Sequence, residues 1–217
     1  MSAQTQSFGS ARPRDRRRAL PGMRLLWSLL AAVGAWPAPA PSQTPPPAEP
    51  QTVLTNAVQI LKLSPTDAEK GHPVRLQGVV TCFDQRAHLL FVQDSTAGIY
   101  LFEPKASGSL KAGQWVSVAG SSAAGRFSPI VTDATVEVLG DGELPKPRAV
   151  PIEQLATGSE DCQWVEVEGV VRAASQNWGH LVLDLASGAS RLKVRVLEYR
   201  PGSETNLVAA RVKARGV

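Results

Sequence analysis

The chain has 217 residues, enough for one or two domains, and its 43% hydrophobic content is sufficient for buried cores. Its net charge of +4 is unevenly placed: residues 1–24 contain six Arg and one Asp, whereas residues 25–217 contain 17 Lys or Arg and 18 Asp or Glu. This distribution excludes overall basicity as an argument for nucleic-acid binding, because the basic excess belongs to the N-terminus.

Residues 1–41 have the organisation of a secretory signal peptide. A polar, Arg-rich start is followed by the apolar run Leu25–Trp36 and then by a stretch rich in Pro and Ala. The alternatives are an uncleaved N-terminal anchor and a start at Met23 rather than Met1. We therefore expect an exported protein on the periplasmic or extracellular face of a membrane, with residues 42–52 forming a Pro-rich linker.

Two short helices are predicted before the first strand. Thr55 is expected to cap a helix over Asn56–Leu61, and Ser64 to cap a second one that has Pro65 at its first position and ends at Gly71. Such helices are too short to carry the fold, which the following strands must supply.

The stretch of residues 74–102 predicts three β-strands folded back on one another, at Val74–Phe83, His88–Gln93 and Ile99–Glu103. Gly78, in the middle of the first strand, indicates a bulge or a sharp bend. Asp94 is expected to cap the next hairpin turn and Gly98 to take a positive φ there. A long curled strand followed by a hairpin is typical of a small Greek-key barrel of the OB type.

Two further strands complete this barrel in the prediction. They lie at Gln114–Ala119 and Ile130–Leu139, joined by a loop of small residues at Gly120–Gly125.

The plan of residues 74–102 returns at residues 164–196. Gly169, Asp184 and Gly188 take the places of Gly78, Asp94 and Gly98. The offset of roughly 90 to 96 residues is longer than the periods of repeat arrays, so it indicates two whole domains in tandem.

We assign residues 53–144 to the first domain and residues 145–217 to the second, which begins with a short helix at Pro151–Thr157. The second domain stops after its fourth strand, Ala210–Gly216, with no counterpart of the fifth. The predicted fold is all-β: two tandem five-stranded OB-like Greek-key barrels with short helices before each, the second lacking its last strand. We expect the chain to be the N-terminal part of a longer protein.

One strand carries a candidate ligand face. Arg191, Lys193 and Arg195 alternate along the third strand of the second barrel, so they point to the same side. Trp178 lies on the neighbouring loop, and Tyr100 occupies the third strand of the first barrel. Cationic and aromatic groups together are typical of single-stranded nucleic-acid binding, and the alternative is an ordinary solvated strand face.

Other chemistry-bearing residues do not form a recognisable motif. The three histidines, His72, His88 and His180, lack the spacing of a metal site. Cys82 and Cys162 occupy non-equivalent places, which leaves open a disulfide between the domains or two small buried side chains. No catalytic, cofactor-binding or metal-binding constellation is found, so we expect a binding region rather than an enzyme.

The chain resembles a group of bacterial extracytoplasmic OB-like domains. The similarity stands at Val74–Thr81, VRLQGVVT, and at Phe91–Leu101, FVQDSTAGIYL, and it extends over about residues 53–217. Similar domains accompany secreted nucleases and nucleotidases. The lead-in at Leu63–Leu76 looks closer to the region before the membrane span in certain bacterial sensor histidine kinases, where such domains occur in tandem.

Three functions follow as hypotheses. The resemblance implies foremost the extracytoplasmic sensory or interaction region of a membrane signalling protein, with membrane-spanning and kinase segments downstream and an unknown ligand or partner protein. The first alternative is a nucleic-acid-binding module of a secreted nuclease or phosphoesterase, and the second is a structural spacer. The phosphoacceptor histidine and ATP-binding boxes of the kinases match nothing in this chain, so no catalytic residue is carried over.

Overall fold

A computed structural model describes residues 52–106, 108–202 and 206–217. The predicted leader at residues 1–41 and the linker up to residue 51 lie outside the described residues. In the part of the chain that is described, no helix is both long and apolar enough to span a membrane.

The first sheet has the strand order β3-β2-β1-β5-β6-β4. Its strands are β1 (Pro73–Asp84), β2 (Leu89–Gln93), β3 (Gly98–Phe102), β4 (Lys105–Ala106), β5 (Gln114–Ala123) and β6 (Ile130–Asp141). In addition, β3 pairs in parallel with β6 where Leu101 meets Val131. This pairing joins the two ends of the sheet into a closed barrel of the predicted OB-like type.

The barrel interior is filled by alternate side chains of these strands, as the two-residue period of a strand requires. The fully buried members include Val80, Leu90, Ile99 and Leu101. Helix α1 (Ala57–Leu61) adds Ile60 to the same core. Burial of these apolar side chains is the main stabilising contribution to a barrel of this size.

The helices before the barrel begin close to the predicted positions. Helix α2 (Pro65–Ala68) is capped by Ser64 as predicted, whereas α1 is capped by Asn56 rather than Thr55, because the Asn56 side chain accepts a hydrogen bond from the Gln59 amide at 3.0 Å. The fourth main strand, β5, continues to Ala123, so most of the loop predicted at Gly120–Gly125 is strand.

Asp94 joins the β2–β3 turn to helix α1. Its Oδ1 accepts hydrogen bonds from the amides of Thr96 and Ala97, at 2.6 and 3.0 Å, which caps the turn. Its Oδ2 accepts the Ala57 amide at 2.7 Å, at the start of α1. One carboxylate thus fixes both the hairpin and the helix that packs against the barrel core.

The second sheet has the order β10-β9-β8-β11, with the short β7 parallel to β8. Its elements are β7 (Arg148–Ala149), α3 (Ile152–Leu155), β8 (Val165–Asn177), β9 (His180–Ser187), β10 (Ser190–Val196) and β11 (Arg211–Gly216). In both sheets the first long strand pairs antiparallel with the next strand on one side and with the fourth main strand on the other. The all-β prediction of two OB-like units is therefore confirmed.

The first long strand has a glycine at the same place in both sheets, where a neighbouring strand lies very close. A Cβ at Gly78 would lie 2.6 Å from the Gln93 carbonyl oxygen, and one at Gly169 would lie 3.1 Å from that of Ala186. The register shifts come later than predicted, between Val80 and Cys82 in β1 and between Val171 and Ala173 in β8. The glycines therefore permit close strand approach, and the bulge follows two to four residues on.

The second hairpin differs from the first. The predicted turn residue Asp184 lies inside β9, opposite Lys193 of β10, and only Gly188, with φ +56°, lies at the turn. The prediction for Asp184 was wrong because β9 has eight residues where β2 has five, so the hairpin turn moves along the sequence.

Both sheets belong to a single compact unit of the chain. The segment before β8 lies on β3 of the first barrel: the Gly98 amide donates a hydrogen bond to Oε1 of Gln163 at 3.1 Å. The Trp164 amide donates to Oε1 of Gln93 at 2.9 Å. Backbone-to-side-chain hydrogen bonds of this kind fix the second sheet against the first.

Gly98 is required for this contact rather than for a turn. It does not have the predicted positive φ, since it is already part of β3. A Cβ at this position would overlap the carbonyl oxygen of Cys162. Only glycine therefore allows the segment before β8 to approach β3 so closely.

A buried carboxylate within the same segment, that of Glu160, holds it against other residues of the second half of the chain. The side chain of Glu160 is 2% exposed, pairs with Arg148, and accepts a hydrogen bond from Nε2 of Gln154 at 2.6 Å. A further hydrogen bond joins Ser128 Oγ of the first barrel to Oδ2 of Asp161 at 2.6 Å.

Candidate functional site

The β8–β9 hairpin presents an exposed tryptophan under backbone strain. Asn177 pairs with His180, and the two residues between them, Trp178 and Gly179, have φ of +54° and +78°. Positive φ at both central positions is the signature of a type I′ turn, which favours Asn-Gly rather than Trp-Gly. Trp178 is also 88% exposed, so this position is unfavourable both for its backbone and for its side chain.

A cleft lies beside this hairpin, between the two barrels. Its volume is about 400 Å³. The first barrel contributes the loop after β1, and the second contributes the hairpin and β10; the main lining residues are Arg86, Ala87, Asn177, Trp178, His180 and Arg195. Two guanidinium groups from different barrels therefore face one space with an indole at its edge.

The two walls of the cleft are joined by direct contacts. Nε2 of His180 lies 3.0 Å from Oδ2 of Asp84, and both side chains are buried. The Oδ1 atom of Asp84 accepts hydrogen bonds from the amides of Arg86 and Ala87, at 3.0 and 3.2 Å. The Arg86 guanidinium donates to the Gly179 carbonyl at 3.3 Å. The β1–β2 loop is thus docked onto the hairpin that carries Trp178.

The predicted basic face is on the outside of β10. Arg191, Lys193 and Arg195 are all exposed, and Leu192 and Val194 between them turn toward the second core. Arg195 also lines the cleft, so the row of cations leads along the strand to Trp178. Within the described residues, none of these three side chains takes part in an ion pair, which leaves their charge available to a ligand.

The basic residues of β11 are in the opposite situation. Arg215 and Lys213 both pair with Glu166, at 2.8 and 3.3 Å, and Arg211 pairs with Glu168 at 3.3 Å. The hydrogen bond from Arg215, followed by that from Lys213, lowers the pKa of Glu166. The charge on β11 is therefore compensated within the sheet.

Tyr100 is not part of this cleft. It lies on the outside of β3, with its ring centroid 5.2 Å from that of Phe91 and 6.5 Å from that of Phe102. Burial, followed by the charge of Glu103, raises the pKa of its hydroxyl. Its hydroxyl reaches the carbonyl of His88 at 3.5 Å. Tyr100 thus contacts the β1–β2 loop but is not among the residues that line the cleft.

The two cysteines are free thiols. Burial raises the pKa of Cys82, and the charge of Asp84 adds to this effect. Burial also raises the pKa of Cys162 to about 12. The structure thus has two protonated, largely buried side chains, which is the second of the alternatives left open by the sequence. Among the described residues, no group of three or more His, Cys, Asp or Glu side chains could hold a metal ion.

A second, open pocket of about 590 Å³ lies on the outside of β1 and β5 of the first barrel. Its floor includes Arg75, Gln77, Trp115 and Ser117. By register, the equivalent face of the second barrel is the ion-paired β8–β11 surface. The two barrels therefore differ on this face: ion pairs cover it in the second barrel, whereas an open pocket lies on it in the first.

Sequence reasoning identified Trp178 and Arg195 but missed Asp84, Arg86 and His180. Asp84 and Arg86 are far from His180 in the sequence, and they meet it only because the β1–β2 loop docks onto the second barrel. The available signal was the dipeptide Trp178-Gly179 between two strands. A two-residue loop that ends in Gly predicts a tight hairpin with positive φ.

Comparisons with known proteins show distant similarity. No protein-family profile matches the chain, and no curated protein matches it. Among solved structures, it is similar to the telomere capping protein Ten1 from Saccharomyces pombe, with 17% identity over 40% of this chain and 74% of that one and a TM-score of 0.26. It is also similar to the Ifi202 HINa domain in complex with 20-bp dsDNA, with 10% identity over 59% and 76% of the two chains and a TM-score of 0.32.

A murine DNA-binding protein bound to double-stranded DNA is similar at 13% identity over 60% of this chain and 80% of that one, with a TM-score of 0.25. TM-scores this low carry no argument about fold or function. The barrel assignment therefore rests on the strand order and closure of this chain.

Proposed function

We propose that this chain is a binding module that holds a short stretch of single-stranded nucleic acid along β10 and in the cleft between the barrels. The observation that carries the proposal is the exposed, strained Trp178 beside Arg86 and Arg195 in one cleft. An aromatic platform next to cations is how single strands are bound without sequence preference, by base stacking and backbone neutralisation.

The row of cations supports a strand rather than a compact ligand. Successive outward residues of β10 are about 6.6–6.8 Å apart, because a strand rises about 3.3–3.4 Å per residue. Arg191, Lys193 and Arg195 therefore form an extended line of charge that ends at the cleft. Single-stranded nucleic acid carries its charge in such a line.

The charge balance implies modest affinity. Residues 53–144 contain 7 Lys or Arg and 9 Asp or Glu, net −2, whereas residues 145–217 contain 10 and 8, net +2. The basic excess therefore lies in the second barrel, and binding depends on the local β10 face and the cleft rather than on the whole molecule.

We further propose that this module lies outside the bacterial cytoplasm, as part of a membrane signalling protein or beside a secreted nuclease. The order of charged, apolar and Pro-rich segments in residues 1–50 supports export. A cleft built from both barrels also suits a sensory region, because an occupant would touch both of them. We propose the nucleic-acid role first and keep the signalling role as its setting.

The test is fluorescence anisotropy of a labelled oligothymidylate with the full chain. Three neutralised phosphates give a log–log salt slope of about −2. The Trp178→Ala variant is expected to lose about 1–3 kcal/mol of binding free energy, the usual contribution of one stacked base. Arg195→Ala should weaken binding and make the salt slope shallower.

Two matched controls come from the same chain. Phe127 is 86% exposed, so Phe127→Ala removes an equally exposed aromatic side chain away from the cleft. Arg211→Ala removes an exposed arginine that is already paired with Glu168. Equal losses in the variants and their controls, or the absence of any binding, would contradict the proposal.

A further inference from the structure

The second sheet has two open edges, whereas the first sheet is closed. Strand β10 pairs only with β9, and β11 pairs only with β8, so within the described residues neither has a neighbour on its other side. In the first sheet the corresponding strands are β3 and β5, and β6 lies between them, parallel to β3 and antiparallel to β5. An open strand edge offers backbone amides and carbonyls to an extended segment.

The apolar side chains beside the two open edges are incompletely covered. Every second residue of β10 and β11 packs against the second core, yet these side chains are only half-buried. They are Leu192, Val194, Val196, Val212 and Ala214. Apolar side chains at the edge of a sheet gain free energy when a further strand removes them from water.

Strand β6 shows which kind of segment fills this position in the first barrel. Its inward residues are small and apolar, and Val131, Ala134 and Val136 are fully buried. Outward residues between them are polar, and the two acidic ones, Asp133 and Glu137, are exposed. The strand thus alternates apolar and polar residues, as one buried face requires.

The charges beside the open edges favour an acidic segment. Arg191, Lys193 and Arg195 form the outward face of β10. On β11, the pairing registers make Lys213 the equivalent of Ser117 in β5, because each follows the residue that pairs with the glycine of the first long strand. In the first barrel, Ser117 lies opposite Glu137 of β6. An acidic residue at the same place in an added strand would therefore lie opposite Lys213.

The same charges disfavour a second copy of this chain as the occupant. Both edge strands have basic outward faces, so pairing of β10 with an edge strand of another copy brings two rows of cations together. Like charges directly opposite each other destabilise a strand pair, and basic residues on edges are a common protection against self-association.

We propose that the open edges of β10 and β11 dock an extended segment of a partner protein in which apolar residues alternate with acidic ones. The segment adds as a strand, parallel to β10 and antiparallel to β11, as β6 does in the first barrel. Its apolar side chains cover the half-buried residues, and its acidic side chains face the cations. This inference does not rest on nucleic-acid binding, because it uses the strand edges rather than the cleft.

The probe is a synthetic peptide with the sequence of residues 130–141, IVTDATVEVLGD, which has the required alternation. Hydrogen exchange of the full chain is followed by mass spectrometry with and without the peptide, at up to about 1 mM. We expect slower amide exchange in β10 and β11 only, because these strands gain hydrogen-bond partners.

Altered peptides test the mode of binding without changing the protein. N-methylation of alternate amides keeps every side chain but removes the donors to one neighbouring strand, so it should abolish the effect. Val136→Ser in the peptide should weaken binding about tenfold, because it removes an inward apolar side chain. Glu137→Lys should weaken binding about two- to fivefold, because it places a cation opposite Lys213. Thr135→Ser, an outward change without charge, is the matched control and should bind as the parent peptide does.

The outcomes decide the proposal in both directions. Slower exchange confined to β10 and β11, and lost with the N-methylated peptide, supports it. Unchanged exchange at the highest peptide concentration, slower exchange in the first barrel, or an equal effect of the N-methylated peptide overturns it. Slower exchange of the same two strands without peptide, as the chain concentration is raised, assigns the edges to a second copy and also overturns it.

Discussion

At the scale of single residues, the β8–β9 turn is the clearest sign of function. Tight hairpins of this type favour small or polar residues at positive φ, yet Trp178 has φ +54° and is 88% exposed. Strained and exposed positions persist where they serve binding. Stability and function therefore make opposite demands on this position.

Replacing Trp178→Asn should separate the two demands. Asn suits the first central position of the turn, so we expect about 1 kcal/mol of added stability, which for a chain of this size raises Tm by about 2–4 °C. Oligonucleotide binding should weaken by about 1–3 kcal/mol at the same time, because the stacking surface is gone. Thermal unfolding and fluorescence anisotropy measure the two effects.

Phe127→Asn is the control, because Phe127 is equally exposed but does not have a positive φ. That variant should neither raise Tm nor change oligonucleotide binding. A Trp178→Asn protein that still binds as the wild type does would remove Trp178 from the interface.

At the scale of elements, the segment before β8 attaches the second barrel to the first. It forms hydrogen bonds to the first barrel, from the Gly98 amide to Gln163 and from the Trp164 amide to Gln93. Within the second half of the chain, the ion pair of Glu160 with Arg148 holds it in place. The Asp84–His180 contact adds a second point of attachment at the other end of the hairpin. Two separate attachments restrict both tilting and sliding of one barrel on the other.

Gly98→Ala should break the first attachment. The added Cβ would overlap the Cys162 carbonyl oxygen, so the segment must move away, at a cost of about 1–3 kcal/mol typical of overpacking. Gly216→Ala is the control, since nothing lies near its added Cβ and its φ is not positive. Thermal unfolding should show a lower Tm for Gly98→Ala only; equal Tm values would show that the contact is not needed for stability.

At the scale of the whole molecule, the two barrels have unequal cores. The first sheet closes through the β3–β6 pairing, and its core side chains are almost completely excluded from solvent. In the second sheet, Leu192, Val194, Val196 and Val212 are only partly buried against their core. The second barrel therefore depends more on its contacts with the first.

Residues 53–144 expressed alone should unfold in one cooperative transition, because a closed barrel satisfies its own backbone groups. Residues 145–217 alone should be marginal, since a chain of about 70 residues with a small, partly covered core retains little net stability. In residues 53–217 the second barrel should melt at a higher temperature than it does alone. A transition of residues 145–217 as sharp as that of residues 53–144 would show that the second core is sufficient by itself.

The sequence by itself determined the strands, their order along the chain and their repetition. Alternation of apolar and polar residues specifies strands through local geometry, so the bounds of β2 and β3 differ little from the prediction. The outward face of Arg191, Lys193 and Arg195 follows from the same two-residue period. Ser64 and Asp94 cap their elements as predicted because capping acts over three or four residues.

Only the tertiary structure decided how the barrels meet and what that contact forms. The Asp84–His180 pair joins residues 96 positions apart, and the cleft exists only because two loops from different barrels dock. The sequence around Gly98 suits a turn. Glycine is required there, however, because the carbonyl group of Cys162, 64 residues away, leaves no room for a side chain. Long-range contacts depend on the packing of whole elements, and no local pattern of residues encodes that packing.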